Sequence, residues 1–256
     1  MKIDRRGFLK IGGVSVLVGL GAKPVIDVIL KGKLAGASAK KGILVEKRFA
    51  MVVNLKNCRK GCADCINACH VAHNVPDFGN PKDEIKWIWT EPYGKVFPDQ
   101  EHEFIEEGVK SRPVMVLCNH CDNPPCVRVC PTKATFKRKD GIVAMDYHRC
   151  IGCRYCMAAC PYGSRSFNWR DPRPFIKKIN PDFPTRTKGV VEKCNFCEER
   201  LAKGLTPACV EACKDKALVF GNLEKSDSEI REILRLGYTI RRNSVIGTGP
   251  QIYYIV

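Results

Sequence analysis

The chain has 256 residues, 43 Lys and Arg against 27 Asp and Glu, 16 cysteines and a formal net charge of +16. With 45% hydrophobic and 27% charged residues it is too apolar for a disordered chain. Its length allows one or two domains and a core buried without disulfide staples. The cysteines therefore need a reason other than stapling, and the charge needs a partner or a cancelling negative charge.

Residues 1–39 read as an address. Arg5-Arg6 is followed by Phe8-Leu9-Lys10, an apolar stretch from Ile11 to Leu20, and the small-residue site Ala37-Ser38-Ala39. This resembles a twin-arginine export signal, which carries folded proteins across the cytoplasmic membrane. The competing reading is an anchor, but Lys23, Pro24 and Asp27 interrupt the run before it reaches the roughly 20 residues that a span needs. The expected location is the outer face of the cytoplasmic membrane, periplasmic or extracellular, with the mature chain peripheral through a partner.

The next elements alternate strands with cysteine quartets. Phe49-Ala50-Met51-Val52-Val53-Asn54-Leu55 is an apolar, β-branched strand. It leads into quartet one, Cys58, Cys62, Cys65 and Cys69, spaced C-x3-C-x2-C-x3-C. Residues 71–113 form an insertion rich in Pro, Gly and aromatics, with Trp87, Trp89 and Tyr93. The strand Val114–Leu117 enters quartet two, Cys118, Cys121, Cys126 and Cys130, followed by Pro131. A second short strand, Gly141–Asp146, enters quartet three, Cys150, Cys153, Cys156 and Cys160, followed by Pro161. Residues 171–189 are a Pro-rich connector. Quartet four is Cys194, Cys197, Cys209 and Cys213, spaced C-x2-C-x11-C-x3-C. Ser226 with Glu229 predicts a capping box for a helix through Ile230, Ile233 and Leu234, stopped by Gly237. Tyr253-Tyr254 closes the chain in an apolar strand.

All sixteen cysteines are used. Quartet three, C-x2-C-x2-C-x3-C-P, matches the bacterial ferredoxin run residue for residue. Three thiolates on one tight loop face different irons of one cubane. The fourth, expected at the start of a helix that points away, reaches a second cluster. Disulfides give poor geometry for cysteines this close together. Zinc sites favour two separated pairs, and covalent haem needs C-x-x-C-H, which Cys65 to His70 misses by one residue. The expectation is four [4Fe–4S] clusters. Quartets two and three pair as an internal repeat, so quartets one and four close across the chain. One cluster falls to Cys118, Cys121, Cys126 and Cys160, and the next to Cys150, Cys153, Cys156 and Cys130. The third falls to Cys58, Cys62, Cys65 and Cys213, and the fourth to Cys194, Cys197, Cys209 and Cys69. Cluster insertion before export suits a route for folded chains.

The expected fold is α+β, with two bacterial-ferredoxin-like double-cluster units. One unit spans 40–70 plus 190–256 and the other 114–170, joined by the insertion and the connector. His70 and His73, three apart, fall on one helix face; His120 sits at a cluster edge without ligating. Trp87, Trp89 and Trp169 are packing or partner-interface residues.

The quartets, the strands before them and the tail Gly247-Thr248-Gly249-Pro250-Gln251-Ile252-Tyr253-Tyr254 resemble the four-cluster electron-transfer subunits of the dimethyl sulfoxide/polysulfide reductase group. Cys150 to Trp169, Arg173-Pro174-Phe175 and Thr185 to Cys194 resemble one branch in particular. That branch is the exported iron–sulfur subunit of the heterodisulfide-reductase-like menaquinol-oxidising complex of sulfate reducers. The resemblance implies an electron relay without substrate chemistry of its own. Its partners would be an integral membrane quinol-interacting subunit and a multihaem cytochrome or other redox subunit. The alternative terminal is a molybdopterin reductase for polysulfide, thiosulfate, tetrathionate or dimethyl sulfoxide. Quartet one departs from the pattern, with an extra residue between Cys58 and Cys62 and His70 where a proline is usual. The extra residue is absorbed as a bulge or leaves that cluster incomplete.

The charge then has an explanation. Residues 1–39 hold seven basic and two acidic side chains, so their removal leaves +11 of the +16. Four clusters at about 2− each, counted against neutral cysteines, offset most of the remainder. A nucleic-acid partner is not needed to account for the basic composition, and none is expected.

Overall fold

The computed structural model describes residues 47–256, so residues 1–39, read above as an export signal, lie outside the described residues. Strand β1 (Phe49–Asn54) is the spine. It pairs antiparallel with β8 (Leu218–Asn222) and parallel with β9 (Ile252–Ile255), giving the sheet order β8-β1-β9. Its side chains alternate between two apolar environments. Met51, Val53 and Leu55 enter the main core, while Ala50 and Val52 meet Leu223 and Ile230 on the other face. Burial on both faces explains why the strand reads as a continuous apolar run. The sheet also joins the segment before quartet one to the segments after quartet four.

The helices are short. Helix α1 is Asp64–Ala72, α2 is Tyr93–Val96 and α3 is Glu107–Lys110. Helices α4 (Pro125–Arg128), α5 (Tyr155–Ala158), α6 (Glu198–Ala202) and α7 (Ala208–Glu211) accompany quartets two to four. Helices of four or five residues have no stability of their own. These are held by what they pack against and by whatever binds their cysteines. The fourth cysteine of quartets two and three does not begin a helix, as expected, but follows the end of one. Cys126 and Cys156 lie inside α4 and α5, and Cys130 and Cys160 lie just beyond their last turns. Pro131 and Pro161 prevent continuation, because proline clashes with the preceding turn and lacks the N–H. Quartet one has His70 in that place, and α1 runs on through Cys69 to Ala72.

The insertion is not an appendage. Strand β2 (Ile88–Pro92) pairs antiparallel with β3 (Pro113–Leu117), and Ile85, Trp87, Ile88, Val96 and Phe97 share one core with β1 and β3. Trp87 is fully buried and Trp89 nearly so, while Trp169 is half exposed. Two further antiparallel pairs, β4 (Thr135–Lys137) with β5 (Val143–Met145) and β6 (Ser166–Phe167) with β7 (Val191–Glu192), flank quartet three in the chain. Residues 171–189 hold no strand or α-helix, as the prolines predict. They are nonetheless lashed to the end of α1. Asn74 Nδ2 donates to the carbonyls of Asn180 and Phe183, at 2.9 and 2.6 Å, and Asn180 Nδ2 donates to Ala72 O at 2.7 Å.

Helix α8 (Glu229–Leu236) lies where the periodicity places it, with Ile230, Ile233 and Leu234 against the second face of the sheet and Gly237 after its last turn. Its cap differs from expectation. Ser228, not Ser226, is the N-cap residue, and its hydroxyl makes no capping bond. Ser226 therefore stands two residues before the cap, too far back for a box with Glu229.

Candidate metal centre

All sixteen cysteines are free thiols. They converge in four groups of four. Burial first, then the neighbouring Cys58, Cys213 and Cys62, push the Cys65 thiol up to about 12. Cys58 is raised by burial and then by Cys62 and Cys213. Cys209 is held well above its ordinary value by burial and then by Cys69, Cys197 and Cys194. Cys121 is pushed up to about 12 by burial and then mainly by Cys118, with Cys126 and Cys160 adding to it. Cys118, Cys121, Cys126 and Cys160 also line one small void. Cys130, Cys150, Cys153 and Cys156 line another. In each case the fourth cysteine of one quartet stands with three from another. These are the four sets expected from the spacing.

Quartet one joins this pattern despite its extra residue. The turn from Arg59 to Cys62 closes with Cys62 N donating to Arg59 O at 3.3 Å, and Gly61 takes φ +74°. A glycine there lets the chain make the additional bend at no steric cost. In the quartet-three loop Gly152 has a second reason to be glycine, since a Cβ would lie 2.5 Å from Gly189 O.

Four thiols that oppose one another's ionisation are a poor arrangement on their own. A bound multivalent metal centre reverses that logic, because coordination deprotonates a thiol outright. The donor set is all sulfur, which selects soft iron–sulfur or zinc chemistry over hard cations. Neighbouring groups also feel each other. Cys65 raises Cys209, Cys118 raises Cys194 and Cys126 raises Cys156. The groups therefore follow one another in the order quartet one, four, two, three.

Buried polar residues between the groups were not legible in the sequence. Arg165 is buried; its guanidinium lies beside Cys126, Cys156 and Cys118 and donates to Thr135 Oγ1 at 2.8 Å. Lys193 is fully buried, with its ammonium on the carbonyls of Val143 and Cys194. His73 stacks on Trp87 with centroids 4.4 Å apart, places Nδ1 2.9 Å from Cys69 O, and reaches Glu199 with Nε2 at 3.0 Å. Burial works against its protonation, but the Cys69 charge and hydrogen bonds to Cys197, Cys69 and Glu199 hold it well above the ordinary histidine range. His73, Cys197 and Glu199 place donor atoms within 4.8 Å of one another. His70 and His73 do not act together. His73 follows the last turn of α1 and turns inward, while His70 lines an open groove with Val71, Val75 and Phe78.

A fold of short helices and hairpins built around all-cysteine tetrads defines a class: a protein that carries redox metal clusters rather than one that holds a substrate. Residues 112–175 and 180–223 match the 4Fe-4S dicluster domain family. The chain is 38% identical to iron-sulfur subunit 1 of an Hdr-like menaquinol oxidoreductase from Archaeoglobus fulgidus, over 98% of this chain and 97% of that one. It is 36% identical to the iron-sulfur cluster-binding subunit of a menaquinone reductase from Nitratidesulfovibrio vulgaris, over 81% and 88%. It is 39% identical to a dimethyl sulfoxide reductase iron-sulfur subunit from Halobacterium salinarum, over 81% and 78%. The chain belongs to this family of 4Fe-4S electron-transfer subunits.

Proposed function

We propose that the sixteen cysteines hold four [4Fe–4S] clusters, two on each of two bacterial-ferredoxin-like units. In this reading the protein relays electrons between a menaquinol-oxidising membrane subunit and a cytochrome or heterodisulfide-reductase-like partner in sulfate respiration. The observation that carries it is the exchange of fourth cysteines, which turns four sequence quartets into four spatial tetrads in single file. Such clusters, when bound, supply one-electron redox chemistry. The chain's own residues set their spacing, exclude water and fix the local charge. The twin-arginine motif supports export to the outer face of the cytoplasmic membrane, and among the described residues no helix is long and apolar enough to cross it. Iron and sulfide analysis under anaerobic conditions is expected to give about sixteen irons per chain, with reduced-cluster EPR signals. About four zincs in their place would overturn the reading, and about twelve irons would single out one empty tetrad.

The two ends of the file differ. Ile151, Tyr155 and Trp169 are exposed beside the quartet-three tetrad, and Arg154 lies over the Trp169 ring at 4.7 Å. Exposed aromatics flanked by arginine are the anchors of a lasting subunit interface. The quartet-one tetrad is instead surrounded by exposed Lys56, Arg59, Lys60, Lys214 and Lys216. Trp169→Ala is expected to leave the iron content unchanged while a partner subunit that co-purifies with the native chain is lost. Equal retention of every partner would remove Trp169 from the interface.

Arg165 is a buried cation shared by two tetrads. Arg165→Gln is expected to lower both potentials by about 59 mV or more, a tenfold change in a one-electron equilibrium, in an EPR-monitored redox titration. The reason is that the added electron loses a nearby positive charge in a low-dielectric setting.

The Halobacterium relative favours a second terminal, a molybdopterin reductase. Molybdenum in the purified native complex would select it over the first.

A further inference from the structure

Quartets two and four open with the same four-residue pattern. Cys118-Asn119-His120-Cys121 and Cys194-Asn195-Phe196-Cys197 each place an aromatic ring between two thiols. Both aromatic residues take left-handed backbone, φ 42° at His120 and 57° at Phe196, a region that L side chains rarely adopt. The reward for that conformation is a stack. The two rings lie parallel, 3.7 Å between centroids and 15° between planes. This contact joins the loop of one tetrad to the loop of the next, at the place where Cys118 and Cys194 also feel each other.

The rings differ in one respect. His120 is fully buried, and its Nδ1 accepts the Val143 N–H at 3.1 Å. A ring nitrogen that accepts carries no proton, so the ring hydrogen is on Nε2. Nε2 is buried and has no partner among the described residues. The amide of the adjacent Asn119, also buried, has neither atom partnered. Buried donors without acceptors are rare, because each forfeits its hydration for nothing. Val143 locks the ring in place, since its carbonyl takes the Lys193 ammonium while its N–H holds Nδ1. Rotation to find another acceptor is thus closed off. In the chain, His120 sits between Cys118 and Cys121, so the sulfur of those cysteines and of what they bind is the acceptor chemistry adjacent to it.

We propose that His120 Nε2–H donates a hydrogen bond to a sulfur of the cluster held by Cys118, Cys121, Cys126 and Cys160, and so raises the potential of that cluster. This rests on the cluster reading above. An N–H to sulfur stabilises the reduced, more negative state.

The test is an EPR-monitored redox titration of the full-length, anaerobically loaded chain. The signal that disappears in Cys121→Ser identifies the cluster concerned. His120→Phe keeps the stack and removes the donor. It is expected to keep full iron and to shift the reduction equilibrium of that cluster about tenfold towards the oxidised form, 59 mV lower for one electron. The quartet-one and quartet-three clusters should stay unmoved. His120→Gln, which returns an N–H without the ring, is expected to recover at least half of the shift. An unchanged potential in His120→Phe, or equal shifts in both variants, would overturn the proposal. If His120→Phe fails to hold iron, His120→Gln decides alone: a potential near wild type supports the donor, and a full tenfold drop removes it. Absence of clusters from the wild-type chain would instead defeat the cluster reading itself.

Discussion

Cys213→Ser is expected to damage the tetrad that begins at Cys58, far away in the sequence, and to leave the rest of quartet four loaded. Cys213 adds to the charge opposing both Cys58 and Cys65, whereas Cys194, Cys197 and Cys209 group with Cys69. A cubane that loses one thiolate gives up one iron or falls apart. Total iron should then drop from about sixteen to between about twelve and fifteen, with one EPR signal lost or converted. Cys69→Ser should produce the complementary loss, at the quartet-four tetrad. Spectra in which Cys213→Ser and Cys197→Ser abolish the same signal would mean that the quartets bind without exchange. Electron transfer along the whole file should fail in both variants, since Cys213→Ser removes an end station and Cys69→Ser the station next to it.

Breaking the Arg186–Glu192 pair is expected to cost the fold about 3–5 kcal/mol. Both side chains are completely buried, with Arg186 Nη2 2.6 Å from Glu192 Oε2. Glu192 also accepts from Trp87 Nε1 at 2.9 Å and from Asn168 Nδ2 at 2.6 Å. Arg186 donates to the carbonyls of His73 and Asn74. The pair thus ties the insertion, the end of α1, the connector and β7 together. Glu192→Gln keeps the shape and the neutral acceptor but strands a buried guanidinium. The anaerobic denaturant midpoint of the loaded chain, read from the loss of cluster absorbance, should fall accordingly. A double replacement by apolar residues should not restore it, because Trp87 Nε1, the Asn168 amide and two backbone carbonyls would lose their partners. The exposed Arg173–Asp171 pair is the control. Solvent screens it, and Arg173→Ala should leave the midpoint where it was. A small effect from Glu192→Gln would show that the network is wet and not structural.

These two expectations separate what is local from what is not. The cysteine sets were legible because metal ligation is written in short spacings. In quartets one to three, three thiols within seven to nine residues of one loop leave few geometries, and the ferredoxin rule sends the fourth elsewhere. Strand β1 was legible from its apolar run, and α8 from the spacing of Ile230, Ile233 and Leu234. The start of α8 was not, because a capping box needs only a Ser and a Glu three apart. Which serine caps is decided by where the chain leaves β8. The place of Cys130 and Cys160 was hidden for a similar reason: a following proline marks a chain leaving a helix, but not which end of the helix it leaves.

The sequence by itself determined the donor chemistry of this protein: sixteen thiols, their short spacings and the ferredoxin-like pattern. Tertiary structure decided the rest. It made the insertion a wall of the core by burying Trp87, and it put the tetrads in single file. It also brought Arg165, Lys193 and His120 between them. The physical reason is range. Ligand spacing and periodicity act over a few residues, whereas Trp87 and Glu192 are 105 residues apart. Only the packed chain brings such partners close enough to offset the cost of burying them.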